Sequence, residues 1–152
     1  FLLNTWHKIK QNNKFSKLFI NPPFSLTEDN KKNDIFLRKK GDKQLLIKDL
    51  MNSKVFITPG HKTEVFCLAA EEAHELCLPI VTMGYGCLYE RVEHNKTGFI
   101  AKNQREFIDY TNLILNNNDV YIDLKKNLLK KKNSRNYNNV RADLIKILNI
   151  NV

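Results

Sequence analysis

Between residues 43 and 116 short apolar runs alternate with amphipathic ones, and this alternation limits the possible folds more than anything else in the chain. Residues 54–58 (Lys-Val-Phe-Ile-Thr) read as a strand, stopped by Pro59-Gly60. A helix is predicted over 64–77, a strand over 79–83, a short strand over 98–101 and a helix over 103–116. Upstream, Leu2, Leu3, Trp6 and Ile9 recur at helical spacing within 1–14, with room for a strand ahead of them. Short strands at 17–20 and 35–37 enclose a polar loop, 25–33, and Asp42 can cap a helix through about residue 52. Two further helices are expected over 119–132 and 138–149. Strands alternating with helices imply an α/β fold, a doubly wound parallel sheet between two helical layers. The expected core is Leu46, Leu50, Val55, Ile57, Leu68, Ala69, Ala73, Ile80 and Val81. Ligands of such sheets bind beyond the carboxyl ends of the strands. Segments 59–67 and 84–90 are therefore where a site is expected.

Length and composition narrow the class. At 152 residues the chain is one domain, and 42% apolar residues suffice for a core. No apolar run approaches the roughly 20 residues of a membrane helix. The three cysteines, Cys67, Cys77 and Cys87, form no CxxC pair and lie in apolar sequence, so they are expected to be reduced and buried in a cytoplasmic protein. A start at Phe1 rather than Met suggests a fragment of a longer chain. The formal charge of +9 is uneven: residues 51–101 hold four Lys/Arg against six Asp/Glu, whereas both flanks are basic. A nucleic-acid binder concentrates basic residues at its site, so nucleic acid is not expected as a partner. Arg38-Lys39-Lys40 and Lys130-Lys131-Lys132 are expected as solvated surface, with attraction to an anionic membrane surface as the sharper reading. His7, His74 and His94 are expected at the surface or as capping groups, and Trp6 and the phenylalanines in the core.

The two loop segments carry the chemistry. The first runs from Pro59 through His61, Lys62, Glu64, Phe66, Cys67 and Leu68 to Glu72 and Ala73. The second runs from Pro79-Ile80-Val81 through Gly84, Gly86, Cys87 and Leu88 to Glu90, with Thr97-Gly98 after it. On a helix, eight residues rise about 12 Å, so Glu64 and Glu72 could reach two polyols a nucleotide's length apart. Carboxylates accept hydroxyl hydrogen bonds well. Amides of Phe66, Cys67 and Leu68 would be the open donors of that helix's first turn. Gly84 and Gly86 permit close backbone approach, leaving the amides of Gly86, Cys87 and Leu88 to face an anion. His61 and Lys62 stand beside the same place. As an isolated motif, two glutamates eight apart are equally a solvated helix face.

Taken together, Glu64 with Glu72, the Pro79-Ile80-Val81 strand, Gly86, Glu90 and Thr97-Gly98 resemble the donor-binding half of retaining GT-B glycosyltransferases, group 1 (family 4). The resemblance covers 43–116, with 117–152 as C-terminal helices. It implies a Rossmann-like C-terminal domain spanning 1–152, truncated at its N-terminus, and a nucleotide-diphosphate sugar as donor. It implies that Glu64 meets the sugar, as the catalytic residue of this half, and that Glu72 meets the ribose. It further implies an N-terminal domain of the same chain as partner, glycan or cell-envelope synthesis, and a cytoplasmic location, peripheral at the membrane's inner face. No metal or cofactor is expected, and the absence of Asp-x-Asp leaves a metal-clamped alternative unsupported. A catalytically inert binding module is the competing reading. Departures from the pattern are Cys67 and Cys87, which stand where glycines belong. The basic pair for the diphosphate is not recognisable in 1–16, where Lys62, Lys39 or Lys40 would have to substitute.

Overall fold

The computed structural model of the chain describes residues 1–20, 33–38, 43–134 and 147. In chain order it runs α1 (Leu2–Asn12), β1 (Leu18–Ile20), β2 (Ile35–Leu37), α2 (Lys43–Met51), β3 (Phe56–Thr58), α3 (Leu68–Glu75), β4 (Ile80–Thr82), α4 (Leu88–Arg91), β5 (Gly98–Ile100), α5 (Gln104–Asn116) and α6 (Asn118–Ser134). Local chemistry sets several boundaries. Asn103 caps α5 by accepting the Glu106 amide at 2.9 Å, while the Glu106 carboxylate accepts the Lys102 amide at 2.9 Å. The Asn117 side chain accepts the amides of Asp119 and Val120, both at 3.1 Å, and starts α6.

All strand pairs are parallel, as expected. β3, β4 and β5 form one sheet in that order, with Phe56 opposite Ile80 and Ile80 opposite Gly98. β1 and β2 form a second sheet, with Leu18 opposite Ile35. Side-chain alternation along β4 assigns the layers. Ile80 packs with Ala70 and Ala73 of α3, Leu88 of α4, and half-buried Leu50 of α2. Val81 packs on the opposite side with Phe99, Phe107 and Ile114 of α5 and Leu124 of α6. A third cluster joins Trp6 and Ile9 of α1 to Leu18 and Ile35. The molecule is therefore a three-layer α/β domain. Gly98 is required by close approach: a Cβ there would lie 2.0 Å from the Ile80 carbonyl oxygen. Thr97 beside it is buried and accepts the Glu93 amide at 3.0 Å. The Thr-Gly step is thus a structural joint between β4 and β5.

Several expectations are corrected. The helix predicted over 64–77 begins only at Leu68, because 61–67 is drawn into a turn by the loop before α4. The phase of α3 is consequently set by Ala70, Ala73 and His74, which are buried, while Leu68 (67% exposed) and Ala69 face outward and leave the core. His74 is a buried residue rather than a surface one. His94 accepts the Ile100 amide at 3.1 Å and meets the Phe99 and Tyr110 rings edge-on. Trp6, Phe99 and Phe107 are core, but Phe15, Phe66 and Phe1 are exposed. Leu46, Leu50, Val55 and Ile57 are only half-buried. The cap at Asp42 and most of the 25–33 loop lie outside the described residues, as does all of the helix expected over 138–149 except position 147. Among the described residues no helix is long and apolar enough to cross a membrane.

Candidate functional site

The loops leaving β3 and β4 are built as one piece at the carboxyl edge of the sheet. The carbonyl of Glu64 accepts the Cys87 amide at 2.9 Å, and the Glu64 amide donates to the His61 carbonyl at 3.0 Å. Gly86 sits between them at φ +58; a Cβ there would lie 2.5 Å from the Glu64 oxygen and 2.6 Å from the His61 oxygen. A sulfur completes the joint: the Cys67 amide donates to Cys87 Sγ at 3.1 Å. Cys87 therefore turns its side chain onto the first loop.

Two of the three amides that the sequence offered to an anion, those of Cys87 and Leu88, are engaged within this loop, and the Gly84 amide ahead of them is engaged as well. The Cys87 amide serves Glu64, the Leu88 amide donates to Tyr85 at 3.3 Å, and the Gly84 amide donates to Thr82 Oγ1 at 3.1 Å. With only four residues, α4 presents no further turn of open amides. The first turn of α3 differs. Cys67 occupies its N-cap without a capping hydrogen bond from its side chain, and Leu68 and Ala69 at positions N1 and N2 are exposed.

Glu64 is half-exposed and lies four residues before α3, so no helical rise separates it from Glu72. Cys67 is buried. Burial, followed by the bond its thiol makes to the Glu64 carboxylate, pushes the thiol up to about 11 against the opposing pull of the Ala70 amide. The thiol thus stays protonated at neutral pH and tethers Glu64. His61 is exposed; the Thr63 amide donates to its Nδ1 at 3.3 Å and the Thr63 hydroxyl lies 2.8 Å from the same atom, so that with Nδ1 as acceptor the ring proton is on Nε2. Lys62 is exposed beside it.

The remaining candidates divide across α3. Glu72 is exposed and lines a large groove together with Ala69, Pro59 and Thr58. On the other flank, Phe66, Cys87 and Glu90 line a polar hollow of about 280 Å³ with Glu71, Arg91 and Lys131. Glu64 lines neither. Glu71 is paired with Arg91, whose guanidinium lies 3.9 Å from the centre of the Phe66 ring. Arg91 and the buried His74 had no signal in the sequence, because the Glu71–Arg91 contact spans 20 positions. The basic clusters are partly accounted for: Lys131 bonds Glu93 at 2.8 Å, Lys132 lies 3.6 Å from Glu75, and Lys39 and Lys40 lie outside the described residues. The Lys131 contact, reinforced by the Lys131 charge, holds the Glu93 carboxyl below its usual range. Among the described residues no cluster of His, Cys, Asp and Glu could hold a metal ion.

Compared with known families, residues 25–134, well over half of the chain, match the family described as "Glycosyl transferases group 1". No curated protein matches the chain.

Proposed function

Because the chain belongs to the group 1 glycosyl transferases, we propose that it is the donor-binding half of a retaining, family 4 enzyme that transfers a hexose from a nucleotide-diphosphate sugar. The acceptor is held by an N-terminal domain of the same polypeptide, and the product is a glycan or cell-envelope component made at the cytoplasmic face of a membrane. The observation that carries this reading is the fused platform at the carboxyl edge of β3 and β4, with Glu64 tethered on it and Glu72 exposed on α3, the helix that follows. In such a transfer the bond from the anomeric carbon to the diphosphate oxygen breaks, the nucleotide leaves with the electron pair, and an acceptor hydroxyl oxygen bonds the anomeric carbon while its proton passes to the departing diphosphate. Positive charge grows at the anomeric carbon, where a fixed carboxylate acts most strongly. Glu64 has that role, and Glu72 accepts hydroxyl hydrogen bonds from the ribose. Since the amides of Gly84, Cys87 and Leu88 are engaged, the diphosphate is met instead by the first-turn amides of Leu68 and Ala69, by His61 Nε2–H and by Lys62.

Titration of the 152-residue chain with UDP- and GDP-sugars in a calorimeter tests the proposal. Weak binding without multiple turnovers is expected. In the two-domain enzyme, Glu72→Ala weakens nucleotide affinity roughly ten- to a hundredfold, the equivalent of one charged hydrogen bond, whereas Glu64→Ala lowers kcat. Asp109→Ala, on the far surface of α5, changes neither. The engaged amides favour one competing reading, an inert module of the same family. Heat signals absent for every nucleotide sugar, at concentrations up to the millimolar range, would establish that reading.

A further inference from the structure

Two of the three cysteines meet in the joint between the loops, although they stand 20 positions apart in the chain, and both are free thiols. The Cys67 amide donates to Cys87 Sγ at 3.1 Å. The N–Cα bond is about 1.5 Å long and makes a wide angle with the N–H, so the Cα of Cys67 lies about 4 Å from that sulfur. Across a disulfide, the Cα of one half and the sulfur of the other are likewise about 4 Å apart. Closing a bond between the two sulfurs therefore asks for side-chain rotation and no backbone movement. The backbones are already fixed on both sides. The Glu64 carbonyl holds the Cys87 amide at 2.9 Å, and Gly86 lies too tightly against the Glu64 and His61 oxygens to admit a side chain. Cys87 also packs against the cluster of buried residues to which Cys67 belongs.

The surroundings of the two sulfurs give them different parts. Cys87 is half-buried and lines the polar hollow beside Arg91 and Lys131, where a small solute can reach it. Cys67 is buried and lines no hollow. Its own burial and its bond to the Glu64 carboxylate keep the proton on it, and the nearness of Cys87 adds a smaller push the same way. Cys87 is thus the sulfur that meets a reagent, and Cys67 is the one that follows. Cys77 stands outside the pair. It lies past the far end of α3, which is eight residues or about 12 Å long, just ahead of the amino end of β4.

We propose that Cys87 and Cys67 are a modification site for low-molecular-weight disulfides, reacting in that order and closing a reversible bond between the two loops. The Cys87 thiolate attacks one sulfur of the small disulfide. That S–S bond breaks, and one half leaves as a thiolate that takes up the proton Cys87 has lost. The Cys67 sulfur then attacks Cys87 Sγ, and the second half leaves as a thiol. The Cys67 proton passes first to the Glu64 carboxylate, which already accepts the thiol's hydrogen bond, and from there to the leaving sulfur. Two protein thiols are oxidised to one disulfide, and one small disulfide is reduced to two thiols. The bridged form has no S–H at position 67, so Glu64 loses its tether. What that does to a bound donor rests on the role proposed for Glu64, whereas the bridge itself does not.

Incubating the 152-residue chain with millimolar glutathione disulfide, then alkylating the remaining thiols and mapping the peptides by mass, tests the proposal. Two of the three thiols should be lost together with two hydrogens, Cys67 should be found linked to Cys87, and the alkyl label should lie on Cys77 alone. Dithiothreitol should restore all three thiols. Cys67→Ser should stop the reaction with glutathione attached to Cys87, and Cys87→Ser should leave Cys67 unmodified. The same treatment in concentrated guanidinium needs no variant. There the specificity of the fold is gone, and all three pairings should form. Native bridges through Cys77, a disulfide-linked dimer, or a native product mixture like that of the denatured chain each overturn the proposal. So do three thiols that stay free under conditions that oxidise the denatured chain.

Discussion

Single residues in this site do two kinds of work, and neighbours in sequence do different ones. Glu71 and Glu72 are adjacent, yet Glu72 is solvent-exposed while Glu71 is paired with a largely buried Arg91. Among the described residues Arg91 Nε is buried without a hydrogen-bond partner, so removing Glu71 strands the guanidinium further. Glu71→Ala should therefore lower stability by about 1–3 kcal/mol, read as a fall in the midpoint of thermal unfolding, even though the residue next to it tolerates alanine. Nothing in the local sequence sets Glu71 apart from Glu72; only the meeting of α3 with α4 makes it structural. Cys67 makes a second residue-scale prediction. Its thiol titrates near 9.0 when unfolded and near 11 when folded, so the folded state holds the proton more tightly. The associated stability is fully present below pH 9 and is lost as pH rises toward 11, by up to about 1.4 kcal/mol per pH unit. Denaturant melts at pH 8 and pH 10.5 should show the decline, and Cys67→Ala should flatten it.

Elements were legible in the sequence to the degree that local chemistry sets them. The strand cores at 56–58, 80–82 and 98–100 were visible as apolar runs cut by Pro and Gly, and α5 and α6 as periodic segments. Hidden from sequence were the start of α3 and the packing phase that follows from it. Those depend on the carbonyl of Glu64 being held by the Cys87 amide, a contact between loops 23 positions apart that no local pattern encodes. The same tertiary contact engages the Cys87 amide, one of those that the glycine spacing suggests for an anion. Thr97-Gly98 was read as part of a functional motif, and in the fold it is a joint between strands. Gly98→Ala tests this at the scale of the element: with 2.0 Å to the Ile80 oxygen, β5 cannot keep its register, and a loss of about 3 kcal/mol is expected in equilibrium unfolding. Amide exchange should rise first in β5 and not in β1.

For the molecule as a whole, the charge of +9 is less concentrated than its sequence clusters suggest, because Lys131 and Lys132 answer Glu93 and Glu75. Attraction to anionic lipid should accordingly be diffuse and long-ranged. Co-sedimentation with phosphatidylserine vesicles is expected at 20 mM salt and is expected to vanish by about 0.5 M, where the screening length falls to a few ångströms. Retention at high salt would indicate an inserted apolar surface instead. The joint between the two loops separates what can drift from what cannot. It is written almost entirely in main-chain atoms and one glycine: at positions 61 and 64 only the carbonyls and an amide take part, and at 62, 65 and 66 nothing does. The side chains at 61, 62 and 65 thus lie outside the frame that presents them, whereas Glu64 is held by Cys67 and Phe66 lies against Arg91. Selection, or a mutagenesis library confined to 61, 62 and 65, can therefore rewrite the preferred sugar or base without renegotiating how the chain folds.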